Sequence, residues 1–159
     1  MEYILFMGEM DMIIVSACLA GIRCRYDGNS NYIEAVSRLV LEGHAIPLCP
    51  EQLGGLETPR NPCENCPENG KVLDSSGIDR TEEFQAGANE TVRLAELWGV
   101  TCVLLQERSP SCGVYQVYDG KFTGTLIPGK GITTKKLEEA GIRIFSIDEI
   151  EEFLFYCKK

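Results

Sequence analysis

Three times in this chain a stretch with helical spacing of apolar residues stops at a glycine and a short apolar run begins within a residue or two. Gly43 precedes the run at 45–48, Gly99 the run at 100–106, and Gly141 the run at 142–145. A glycine that takes the left-handed conformation at a helix end and hands the chain to a buried strand is the junction from which parallel sheets are built. With a further apolar run at 13–17, this grammar predicts a small Rossmann-like, three-layer α/β fold with about four parallel strands. The helices between them follow from pattern: residues 32–41 carry apolar side chains at 32, 33, 36, 39 and 40, one face of a helix. Asp79-Arg80-Thr81-Glu82 resembles a capping box at the head of a helix reaching about Trp98. A short helix is expected over 133–140, and Ser146-Ile147-Asp148-Glu149 caps a last one ending near Cys157. Residues 115–118 and 122–127, joined by Asp119-Gly120, read as an antiparallel hairpin, because Asp-Gly supplies the positive φ angles of a tight primed turn. After Pro50, about thirty residues are broken up by prolines and glycines, and an irregular connection of that length in a small domain is usually functional.

Open α/β sheets bind their ligands at the carboxyl ends of the strands. Three of the predicted strands run into a cysteine there: 13–17 into Cys18, 45–48 into Cys49, and 100–106 into the turn Arg108-Ser109-Pro110-Ser111-Cys112-Gly113. Three soft thiolates converging on one sheet edge suit zinc or an iron–sulfur cluster, and three rather than four leave one metal position open. Glu51, in Cys49-Pro50-Glu51, places a carboxylate beside them that can move protons. Ser109 and Ser111 flank Pro110 and can hydrogen-bond a substrate or cap the turn. His44, between Gly43 and a strand, is expected to be structural. Cys63-Glu64-Asn65-Cys66 is the one C-x-x-C and by motif alone a metal pair, but in a proline-flanked loop without a second pair at zinc-finger spacing it equally fits a surface or adventitious redox role. Cys102 and Cys157 fall at core positions, and Cys24, between Arg23 and Arg25, reads as a loop thiol.

Composition narrows the partners. Fifteen basic against twenty-four acidic residues give a net charge of −9, which excludes a long nucleic-acid surface, since phosphate contacts need clustered Lys and Arg. Arg25, Arg60 and Lys130 are candidates for meeting a single phosphate. No run approaches the roughly 20 apolar residues of a membrane span, and Glu2, Glu9 and Asp11 interrupt the apolar N-terminus where a signal peptide would not be interrupted. The expectation is a cytoplasmic protein whose eight cysteines are thiols or metal ligands rather than disulfides. Met12 is a natural start, so residues 1–11 read as an N-terminal extension and 12–159 as a single domain.

Six segments in order carry a family likeness: Ser16-Ala17-Cys18-Leu19-Ala20-Gly21, Cys24-Arg25-Tyr26-Asp27-Gly28, Cys49-Pro50-Glu51, Leu53-Gly54-Gly55-Leu56 with Thr58-Pro59-Arg60, Ser109-Pro110-Ser111-Cys112-Gly113, and Tyr118-Asp119-Gly120. Together they resemble the thiouracil desulfidase family in its single-domain form. The resemblance implies a [4Fe–4S] cluster on Cys18, Cys49 and Cys112 with one open iron, Glu51 as proton shuttle, and Ser109 holding substrate or water. Ser111 and Arg60 would contact the substrate. It implies hydrolytic, non-redox desulfuration of a small thiolated pyrimidine: 2-thiouracil, 4-thiouridine or 4-thio-UMP. Cys63, Cys66 and Glu57 lie outside the family pattern. The competing readings are a zinc- or cluster-binding module without chemistry and an electron carrier, the latter usually wanting a fully ligated cluster.

Overall fold

The structure, a computed structural model, describes residues 11–157; the N-terminal extension expected over 1–11 therefore lies, Asp11 apart, outside the described residues. In chain order the elements are β1 (Ile13–Ser16), α1 (Glu34–Leu41), β2 (Ala45–Leu48), α2 (Pro50–Leu53), β3 (Cys63–Asn65), β4 (Val72–Asp74), α3 (Thr81–Trp98), β5 (Cys102–Leu105), β6 (Gln116–Tyr118), β7 (Leu126–Pro128), α4 (Ile132–Glu139), β8 (Arg143–Ser146) and α5 (Ile150–Cys157). Four of the strands form one parallel sheet in the order β2-β1-β5-β8. The two central strands are buried at every position, which is why they read as unbroken apolar runs. Alternate side chains serve opposite layers. Ile13, Val15 and Leu104 pack with Val36 of α1 and Phe153 of α5, while Ile14, Val103 and Leu105 pack with Ala95 of α3 and Leu137 of α4. Each such side chain, fully buried, contributes about 1.5–3 kcal/mol, and the result is the three-layer α/β/α arrangement that the glycine junctions predict. Gly43, Gly99 and Gly141 have φ of 80°, 63° and 79°, the left-handed conformation those junctions require.

Three local readings are corrected. The stretch after Pro50 is not irregular throughout: it contains α2 and the antiparallel pair β3-β4. Pro50 opens α2, where its missing N–H costs nothing, and three-residue strands are too short to show a period. The capping box at 79–82 does not form. Arg80 takes the N-cap position without a side-chain bond, and the Asp79 carboxylate instead accepts the Thr81 N–H at 2.9 Å while Thr81 Oγ1 accepts the Val72 N–H at 3.0 Å. The box at Ser146 and Glu149 does form. Asp119-Gly120 is not by itself the hairpin turn, since β6 pairs with β7 from Gln116↔Pro128 to Tyr118↔Leu126 and the loop runs over 119–125. Tertiary contacts override the local preference: Gly120 lies so close to β3 that a Cβ there would sit 2.7 Å from the Asn65 carbonyl oxygen. The Phe122 N–H is drawn to Glu64 at 2.8 Å.

One contact fixes the element that carries Glu51. Gly54, at the end of α2, and Gly87, within α3, face each other so closely that a Cβ on Gly54 would lie 1.9 Å from the Glu83 carbonyl oxygen and one on Gly87 1.8 Å from that of Pro50. Only hydrogen side chains permit this backbone-on-backbone approach. Gly87→Ala is therefore expected to lower the unfolding free energy in urea titration by about 1–3 kcal/mol, through overpacking that only a shift of α2 relieves.

Candidate active site

The chain passes from β1 outward to β2 and then back across β1 to β5, so the order of strand connection reverses between β1 and β5 while the strands stay parallel. Such a switch point leaves a crevice at the carboxyl ends of the strands. A cavity of about 590 Å³ opens there. Cys18 enters it from the one-turn segment Ala17–Ala20 that follows β1, Cys49 from the residue after β2, and Cys112 from the turn after β5. The sheet edge thus brings together the three thiols that strand position singled out, Cys18 and Cys112 buried and Cys49 half-buried.

A fourth thiol accompanies them. Cys24, read from sequence as a loop residue, is 2% exposed and lines the same cavity, and its carbonyl accepts the Cys49 thiol at 3.9 Å. The neighbouring Cys18 thiol, and after that burial, push the Cys24 thiol up to about 11. Hydrogen bonding to Cys24 and burial likewise raise Cys49, and burial raises Cys112 to about 12 against the lowering effect of the Ser16 and Ser111 hydroxyls. Asn31 braces the group by donating Nδ2–H to Cys18 Sγ at 3.8 Å and to Gln106 Oε1 at 3.0 Å. Among the described residues no three His, Cys, Asp or Glu side chains are close enough to share one metal ion. Thiols set around a cavity from three strand ends instead match a polynuclear cluster, in which each thiolate binds a different metal atom.

Beside the thiols runs a line of oxygens. The Ser109 and Ser111 hydroxyls lie 2.9 Å apart, Ser111 Oγ donates to Glu51 Oε2 at 3.2 Å, and Arg60 Nη2 stands 3.5 Å from the same carboxylate oxygen. Ser109 Oγ also accepts the N–H groups of Ser111 (3.2 Å) and Cys112 (3.0 Å), which assigns it as the donor to Ser111. Direction is thereby set, from Ser109 to Ser111 to Glu51. Arg60 is spent on the protein: beyond Glu51 it donates to the carbonyls of Cys24 (3.0 Å) and Glu57 (3.0 Å) and to Thr58 Oγ1 (3.1 Å), and its remaining donor, Nε, is buried without a partner.

The serine turn is held by Glu107, which sequence reading passed over. Only 4% exposed, its Oε1 accepts the N–H groups of Val114 (2.8 Å), Tyr115 (3.0 Å), Gln116 (3.1 Å) and Arg108 (3.3 Å), and its Oε2 accepts the Ser146 hydroxyl at 2.5 Å. Burial alone would raise this carboxyl, but the Ser146 hydroxyl and the converging N–H groups outweigh it and hold it below its ordinary value. Arg108, next in the chain, is left-handed at φ 65°, a conformation that costs a non-glycine residue roughly 1–2 kcal/mol.

The other candidates divide between the cavity wall, where Arg25, Cys63 and Glu64 lie, and positions away from it. His44 lies at the start of β2, the opposite end of the sheet, where its carbonyl accepts the Ile13 N–H. Cys63 lines the cavity but Cys66 does not, so the C-x-x-C is not a working pair. Arg25 is tied to Asp27 at 3.2 Å and to Asn31, and Lys130 to Glu138 at 2.7 Å on the surface. Glu64 joins the cavity wall, buried and raised by desolvation. No periodicity marks Glu64, Glu107 or Asn31. Cys24 did carry a signal, in the segment Cys24-Arg25-Tyr26-Asp27-Gly28.

Comparison with known proteins bears on this geometry. The family model described as 2-thiouracil desulfurase matches residues 13–149. The uncharacterized protein YbbK of Bacillus subtilis (strain 168) is 41% identical over 151 residues, spanning 90% of this chain and 100% of its own. Among solved structures, the [4Fe-4S]-dependent thiouracil desulfidase TudS (DUF523Vcz) matches with a TM-score of 0.87 at 43% identity, over 92% of this chain and 97% of that one.

Glu107→Gln should cost about 1–3 kcal/mol at neutral pH, because bonds to an ionised acceptor are replaced by neutral ones. The native carboxyl titrates below its ordinary value of 4.5. Its contribution is therefore complete above that value and is lost as pH falls through the native one. Urea midpoints of the native protein and the variant are expected to differ at pH 7 and to converge in acid.

Proposed function

The chain belongs to the 2-thiouracil desulfurase family, and from that premise we propose that it is a [4Fe–4S]-dependent thiouracil desulfidase that hydrolyses the carbon–sulfur bond of a thiolated pyrimidine, releasing the oxo base and hydrosulfide. The observation that carries the reading is the convergence of Cys18, Cys49 and Cys112 from three adjacent strands onto one cavity, with a carboxylate and two serines beside them. The similarity to TudS supports the same reading.

In this proposal Cys18, Cys49 and Cys112 hold the cluster, with Asn31 donating to Cys18 Sγ and Cys24 on the same cavity wall, its carbonyl accepting the Cys49 thiol. When bound, the cluster supplies an iron without a protein ligand, a soft Lewis acid for the thiocarbonyl sulfur that makes the attached carbon more electrophilic. The chain's own residues do the rest. Ser111 Oγ, already donating to Glu51 Oε2, passes a proton from the attacking water to that carboxylate, and Glu51 returns it to the ring nitrogen or the departing sulfur. Ser109 orients Ser111 and stiffens the turn through its two backbone bonds. Arg60 positions Glu51 from behind, since its guanidinium is otherwise engaged with backbone carbonyls. The substrate candidates are 2-thiouracil, 4-thiouridine and 4-thio-UMP, with no long nucleic acid and no membrane; among the described residues no helix is long and apolar enough to cross one. A cytoplasmic site of action fits the thiol chemistry.

The test is anaerobic reconstitution with iron and sulfide, followed by metal counting, the visible spectrum and sulfide release from each substrate. The native protein is expected to take up about four irons and release sulfide. Cys112→Ala should lose both iron and turnover, whereas Glu51→Gln should keep the iron and lose about 10²- to 10⁴-fold in turnover, the usual contribution of a general acid or base. Turnover retained by Cys112→Ala would sink the assignment. Iron taken up with a spectrum that no thiopyrimidine alters would point to the electron carrier.

A further inference from the structure

The loop between β6 and β7 displays one aromatic ring at the cavity wall. Phe122 lines the cavity, is 41% exposed and is left-handed at φ 55°. A bulky residue at positive φ is a backbone outlier, kept only where its surroundings hold it, and such strain concentrates at ligand-binding sites. The hydrophobic core does not hold it, since Phe122 belongs to none of the buried clusters of the described residues. Polar contacts do. Glu64, buried on β3, accepts the Phe122 N–H at 2.8 Å, and Gly120 lies against the Asn65 carbonyl. Asn65 Nδ2 in turn donates to the Pro110 carbonyl at 3.2 Å, which ties β3 to the serine turn. The same short strand thus fixes where the ring stands relative to Ser109 and Ser111.

The other aromatic residues of the wall are placed differently. Tyr26 carries the Arg25 guanidinium over its ring, 5.8 Å from the centroid, and Tyr118 is half-buried in β6. Among the described residues the Phe122 ring has no aromatic or cationic partner. A free aromatic face in a cavity of about 590 Å³ is suited to a flat heterocycle, which it meets in an offset or edge-on stack. Phenylalanine has no polar atom in its side chain. It therefore reads flatness and π surface and leaves the polar edge of a bound ring to the serines and Glu51.

Resting on the desulfidase reading, we propose that Phe122 is the platform on which the substrate ring stacks, and that it restricts the enzyme to flat, unsaturated thioamide rings. Glu64 is then a positioning residue, acting on substrate only through the backbone of Phe122. A thiocarbonyl in a puckered, saturated ring carries the same sulfur but loses the stack.

The experiment uses the cluster-loaded protein and compares kcat/KM for 2-thiouracil and 5,6-dihydro-2-thiouracil in the native chain, Phe122→Tyr, Phe122→Leu and Phe122→Gly. The dihydro compound keeps the thiourea unit and loses the flat ring, so the ratio isolates ring shape from the chemistry common to both. Phe122→Gly is free of strain in the left-handed backbone, and Phe122→Leu keeps apolar bulk there, so a loss shared by the two belongs to the aromatic ring. The expected result is a native preference for the flat ring that shrinks about 5-fold or more in both variants, the lower range of one base–aromatic stack, and survives in Phe122→Tyr. Equilibrium binding of uracil against 5,6-dihydrouracil should shift in the same direction. A ratio that neither substitution moves, or equal losses on both substrates, would overturn the stack and leave Phe122 a loop-shaping residue. Should no thiopyrimidine be turned over, the desulfidase reading fails, and the uracil-to-dihydrouracil binding ratio of native protein and Phe122→Gly still decides whether the platform stands.

Discussion

Four backbone N–H groups and a hydroxyl converge on the buried carboxylate of Glu107, and the geometry of the catalytic edge follows from that convergence. A chain leaving β5 and folding back over the sheet would bury several amide groups away from water, each a cost of about 1–3 kcal/mol if left unpaired. One ionised carboxylate answers all of them. The turn can then close tightly enough to hold Ser109, Ser111 and Cys112 above the ends of β1 and β2, and the Ser146 hydroxyl ties it to β8. Glu107 touches no reacting atom in the proposed chemistry, yet it fixes where the reacting residues point.

The second determinant is the Gly54–Gly87 approach. It brings α2 onto α3 at backbone distance, and α2 carries Glu51. The carboxylate is therefore located by the α3 layer, while its hydrogen-bond partner Ser111 is located by β5 and Glu107. Two independent parts of the fold meet at one 3.2 Å contact. A shift of either part alters that contact, so Gly54 and Gly87, which do not line the cavity, bear on where Glu51 sits.

Much of this was legible in the sequence, and the reason differs from residue to residue. The parallel sheet announces itself because Gly43, Gly99 and Gly141 must each be left-handed, a constraint that few other residues satisfy. Cys18, Cys49 and Cys112 were identifiable because they follow apolar strands, and strand ends in a parallel sheet share one edge. Glu107 was not identifiable, since its role depends on amides contributed by residues 114–116 after the chain has reversed. The β3-β4 pair was hidden because three-residue strands carry no period. The turn of the β6-β7 hairpin was misplaced because β3 competes for Gly120 and Phe122. Cys24 lacked a strand before it, and its place among the other thiols arises from the loop that Asn31 pins back onto Cys18.

The spacing of the thiols along the chain governs how the protein is made. Cys18 and Cys49 leave the ribosome early, but Cys112 and the serine turn follow only after α3, and the Glu107 clamp is incomplete until Ser146 of β8 has emerged. A nascent chain that stops at α3 presents two of the three strand-end thiols and no finished edge. A centre held by Cys18, Cys49 and Cys112 therefore has its full set of thiols only once β5 and the turn after it have docked against β1, so completing the site and closing the sheet are one event.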